Sequence, residues 1–108
     1  MKPVKYQLTS GDIETILCAL SILPSLGLED TDVQAEINYQ CCISAAQKLT
    51  SRNPNLSHND FRIIFGSLKA AQLIIQGEYE VDAETKKECV DHLFTINKLV
   101  SVFEPDFS

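Results

Sequence analysis

Basic charge is scarce in this chain: nine Lys and Arg stand against fifteen Asp and Glu, for a net charge of −6 and a pI near 4.7. Affinity for nucleic acid rests on clustered Lys and Arg neutralising phosphates, so binding to DNA or RNA is not expected. Long apolar runs are missing too. Stretches such as Leu73-Ile74-Ile75 fall far short of the ~20 residues a membrane span needs. Glycine numbers only four, and no Gly-rich turn offers backbone donors to a phosphate or an oxyanion. Walker, dinucleotide and H-E-x-x-H patterns are absent, and no segment alternates as a strand would. The acidic stretch Glu78-Tyr79-Glu80-Val81-Asp82-Ala83-Glu84 fails as a calcium loop, with Ala83 at its sixth position and Cys89 at its twelfth. No cofactor is expected, and no catalytic motif.

No apolar stretch follows Met1-Lys2-Pro3-Val4-Lys5-Tyr6-Gln7, so a secretory signal is not expected. The expected setting is the cytoplasm, with Cys18, Cys41, Cys42 and Cys89 as reduced thiols. Apolar residues at 44% and charged ones at 22% are the ordinary balance of a globular chain. At 108 residues there is room for one domain, able to remove roughly 60–65% of its exposable surface on folding.

What is present is helical periodicity. Thr9-x-x-Asp12 reads as a capping box opening a first helix, whose Ile13, Ile16, Leu17, Leu20 and Leu23 recur at helical spacing until Pro24. A second helix is expected from about Thr31 to Ser51. Ser57-x-x-Asp60 opens a third, running to Gln76 with Gly77 just past its end, and Asp82 caps a fourth that continues to Glu104 before Pro105. Sliding the chain by 48 positions sets Leu8, Asp12, Ile16 and Leu20 on Leu56, Asp60, Ile64 and Leu68. A slide of 50 sets Lys48-Leu49 on Lys98-Leu99. Any two amphipathic helices share some letters, but matched caps and matched acidic loops favour duplication. The expected architecture is all-α: a compact four-helix bundle made of two similar helical hairpins, 8–51 and 56–104, within one domain.

The faces differ in kind. On the fourth helix Cys89, Leu93, Ile96, Val100 and Phe103 form one inward stripe, with His92 and Leu99 at its edge. On the second, Ala35, Ile37, Cys41, Cys42, Ala45, Ala46 and Leu49 share a small-residue side suited to close packing. The third has an inward face of Phe61, Ile64, Phe65, Leu68, Ala71 and Ile75. It also carries a second stripe, Ile63, Ser67, Ala70 and Ile74, nearly opposite the first. A helix apolar almost all round must be covered almost all round. The cover is either another part of the chain, such as 26–28 or the tail with Phe107, or a second subunit. Ile63, Ser67, Ala70 and Ile74 are therefore the expected interface residues of a homodimer, or of a contact with another protein. Protein–protein interaction, self-association first, is the expected function.

The alternative is a metal- or small-ligand-binding bundle using Cys42, Cys89 and His92. Cys89-x-x-His92 sets two ligand types one turn apart, and the 50-residue shift aligns Cys42 with His92. Buried thiols and a boundary histidine explain the same letters without a metal. A thiol–histidine catalytic pair, Cys42 with His92 or His58, would further need an oxyanion site that the sequence does not supply.

Overall fold

The computed structural model describes residues 8–22, 32–51 and 56–107, although the side chains of Asp32, Gln34 and Ala35 lie outside that description. The described residues form five α-helices and no strand: α1 (Ser10–Ile22), α2 (Asp32–Leu49), α3 (His58–Ile75), α4 (Ala83–Asp91) and α5 (Leu93–Phe107). Each of the caps read from the sequence forms. Asp12 N–H donates to Thr9 Oγ1 at 3.1 Å and Thr9 N–H donates back to Asp12 Oδ2 at 3.0 Å. At α3 the same reciprocal pair joins Ser57 and Asp60, at 3.1 and 2.8 Å. Asp82 Oδ1 accepts from Thr85 N–H at 2.7 Å and starts α4. These bonds satisfy amide donors that the first helical turn leaves without partners. At the far end of α3, Gly77 N–H donates to Ile74 O and Glu78 N–H to Leu73 O at 2.9 Å. That pair of bonds requires a left-handed residue between them, and Gly77 supplies it at φ +86°.

Helix α3 is the axis of the fold, touched by α1, α2, α4 and α5. Of its first stripe Phe61, Ile64, Leu68 and Ala71 are buried, while Phe65 and Ile75 are half-buried against the core. The second stripe is buried as well, with Ser67 at 1%, Ala70 at 4% and Ile74 at 0% exposure, and Ile63 packed against the core. The helices of the chain itself cover this stripe, so the expected subunit contact at Ile63, Ser67, Ala70 and Ile74 is not a free surface. An aspartate at 74 would bury a charge rather than release a partner. Residues 26–28, one of the expected covers, lie outside the described residues. The tail does fold back, but onto the first stripe: the Phe107 ring centroid lies 6.2 Å from that of Phe65 and 6.4 Å from that of Phe61.

The expected fourth helix divides in two. His92 closes α4 with φ −102° and ψ 11°, its N–H donating to Cys89 O at 3.1 Å, and the chain restarts as α5. The interruption turns Leu93 out to 38% exposure, whereas Cys89, Ile96, Leu99, Val100 and Phe103 stay buried. Pro105 does not end the helix but sits inside its last turn. A proline there forgoes one late hydrogen bond, and the aromatic packing of Phe107 offsets the loss.

On α2 the seam is narrower than its letters imply. Cys42, Ala45 and Leu49 are buried, whereas Ile37 is 50% exposed because it stands about 140° round the helix from Cys42. Ala45 is fully buried where α2 meets α1 and α3. Replacing it with leucine is expected to cost about 1–3 kcal/mol, read as a lower urea midpoint at unchanged slope.

Candidate functional site

Helices α1 and α4 meet along a seam that gathers polar and sulfur chemistry. Thr15, 1% exposed, has its Oγ1 2.9 Å from His92 Nδ1. One turn further along α1, Cys18 Sγ lies 3.9 Å from Glu88 Oε2, which belongs to the turn of α4 preceding His92. The register is antiparallel: as α1 advances from Thr15 to Cys18, α4 retreats from His92 to Glu88 and Cys89. Cys89 is fully buried there and Cys18 half-buried. Burial pushes the Cys18 thiol up to about 11, and the neighbouring Glu88, Cys89 and Glu14 push it the same way. Cys89 is raised by burial and then by Glu88. Both sulfurs are thus held as thiols at neutral pH.

Of the candidate metal ligands, the seam brings Cys89 and His92 together but not Cys42. Cys42 sits on α2, which approaches α1 and α3 and comes close to neither α4 nor α5. Among the described residues no three His, Cys, Asp or Glu side chains are grouped to hold an ion. The same separation parts Cys42 from His92 as a nucleophile and base. His58, at the start of α3, stacks on Phe107 with ring centroids 4.8 Å apart.

Two further features escape a reading of single helices. The capping carboxylates are buried, Asp12 at 4% and Asp60 at 5% exposure. Each accepts a hydrogen bond from a lysine on another helix, Asp12 Oδ1 from Lys98 Nζ at 2.6 Å and Asp60 Oδ2 from Lys48 Nζ at 2.7 Å. The signal was the alignment itself, which superposes Asp12 on Asp60 and, two positions out of step, Lys48 on Lys98. The second feature is an apolar face outside the core. Across the α4–α5 junction Phe94 is 84% exposed, with Val90, Leu93 and Val102 exposed beside it or further along α5. Val90 lies in the last turn of α4 and Leu93 and Phe94 open α5, so the three flank the break at His92. Lys98, between Phe94 and Val102 in the sequence of α5, directs its charge to Asp12.

No described helix is long and apolar enough to cross a membrane. No protein-family model matches the chain, and no curated protein or solved structure matches it either.

Proposed function

We propose that the chain is a duplicated helical hairpin working in the cytoplasm by binding protein, in the first place a second copy of itself, through the α4–α5 face. The observation that carries the reading is Phe94. A phenylalanine left 84% exposed near Val90 and Leu93 gains of order 1.5–3 kcal/mol on burial, a gain that the described residues of the chain do not supply. Aromatic anchors of this kind dominate interfaces. The exposed Val33 and Ile37 on α2 make a weaker case, because the chain preceding α2 lies outside the described residues.

The duplication is supported by burial as well as by letters. Positions 12, 16, 19, 20 and 22 of α1 are buried, and so are their counterparts 60, 64, 67, 68 and 70 of α3. The ion pairs cross between the halves: Asp12 of the first takes Lys98 of the second, and Asp60 of the second takes Lys48 of the first. Reciprocal exchange is the pattern of a two-fold dimer. On this reading the second stripe of α3 is spent on contacts within the chain, and association falls to the surface that the duplicated core leaves outside.

The test is Phe94→Ser combined with Val90→Ser, compared with wild type by light scattering across a concentration series. The wild type is expected to be dimeric with a thermal midpoint that rises with concentration, and the variant monomeric with a midpoint independent of concentration. A wild type that stays monomeric at the highest concentration removes self-association.

A further inference from the structure

The α1–α4 seam holds a second chemistry that does not depend on that interface. Thr15 and His92 are in direct contact, and the helices run antiparallel. Three residues forward from Thr15 is Cys18; three residues back from His92 is Cys89. The contact of Cys18 Sγ with Glu88 Oε2 at 3.9 Å confirms that this register persists along the seam. It sets the two sulfurs on facing turns, one half-buried and one fully buried. Cys41 and Cys42 are on α2, which meets α1 but does not approach α4.

We propose that Cys18 and Cys89 are a guarded redox pair, oxidised by a small disulfide of the glutathione class and held back by the Glu88 carboxylate. Cys18 is the accessible sulfur and reacts first. It loses its proton to solvent and attacks one sulfur of glutathione disulfide, forming a mixed disulfide and releasing one glutathione thiolate. Cys89 then loses its proton and attacks the Cys18 sulfur, forming the Cys18–Cys89 bond and releasing the second. Two protein thiols are oxidised and one glutathione disulfide is reduced to two glutathione molecules, which take up the two protons. The product pins α1 to α4 across a long loop of chain, which constrains the unfolded state and raises the thermal midpoint.

Glu88 is the guard because a thiol reacts as its thiolate and a neighbouring carboxylate disfavours that form. Glu14 and Cys89 are the other groups bearing on Cys18 in the same direction, and His92 is engaged by Thr15.

The full chain incubated with excess glutathione disulfide tests this directly. Intact mass should fall by two hydrogens. Cleavage after glutamate without reduction should give fragment 15–29 joined to fragment 89–108, since Pro105 blocks cleavage after Glu104, well apart from the fragment that carries Cys41 and Cys42. Cys89→Ala should instead retain one glutathione on Cys18. Glu88→Gln, a change at an exposed position, should close the bond several-fold faster at neutral pH. A wild type that accumulates the mixed disulfide without closing, or that links Cys18 to Cys41 or Cys42, overturns the pair. An unchanged closure rate in Glu88→Gln overturns the guard.

Discussion

Replacing Phe103 with alanine is expected to lower the unfolding free energy by about 3–5 kcal/mol, the range for truncating a fully buried aromatic ring. Phe103 is 0% exposed and joins α5 to α3 through Phe61, with ring centroids 5.9 Å apart and tilted by 48°. It also meets Phe107 edge-on, at 6.3 Å and 79°. Offset and edge contacts of this kind add about 0.5–1.5 kcal/mol to the area term. A small domain commonly has about 5–15 kcal/mol in all, so the loss is a large fraction of the total. Phe107, only half-buried, caps the same cluster from outside, and Phe107→Ala should cost clearly less. Urea titration of the two variants decides the matter. If Phe103→Ala costs no more than Phe107→Ala, the α3–α5 joint does not turn on that ring.

How far such contacts are legible in the sequence depends on how far apart the partners lie in the chain. The helix starts at Thr9, Ser57 and Asp82 are written within three residues, and each forms as read. Gly77 belongs to the same class, since its left-handed turn is decided by the four residues before it and the one after. The break at His92 is of another kind. Uninterrupted helical spacing runs straight through that position, and the residue that engages the imidazole, Thr15, comes from the far end of the chain. Thr15 itself reads as an ordinary polar position between Ile13 and Ile16, yet it is buried because α4 lies on it. On α3 the two apolar stripes are plain from their spacing and do require cover, but spacing does not say whose. The Cys18–Cys89 juxtaposition is illegible for the same reason: it exists only once the α1–α4 register is known.

The buried carboxylates combine both kinds of information, and their removal should be costly. Asp12→Ala and Asp60→Ala each delete a reciprocal cap, about 1 kcal/mol, together with a charge-assisted hydrogen bond to lysine. The lysine side chains remain 40% and 47% exposed, so the ionic part is discounted for solvent screening. About 2–3 kcal/mol for each variant results, and about 4–6 for both together, because the two sites share no partner. A double-mutant cycle isolates the exchange between halves. Asp12→Asn should couple to Lys98→Met by about 1 kcal/mol and be additive with Lys48→Met, while Asp60→Asn should show the reverse. Coupling within each half instead would dismantle the crossed pairing. Acid supplies a second readout. Burial pushes both carboxyls up, but the lysine hydrogen bond and the Thr9 or Ser57 amide outweigh it and hold each below the ordinary 3.8. A lowered folded value means stabilisation that is complete above the unfolded value and is lost as pH falls through the folded one. Stability should therefore decline as pH drops below 3.8, and the Asp12→Asn, Asp60→Asn double variant should be flatter over that limb. An equally steep acid limb in the double variant would place the titrating groups elsewhere, and the buried pairs would then not be what ties the two halves together.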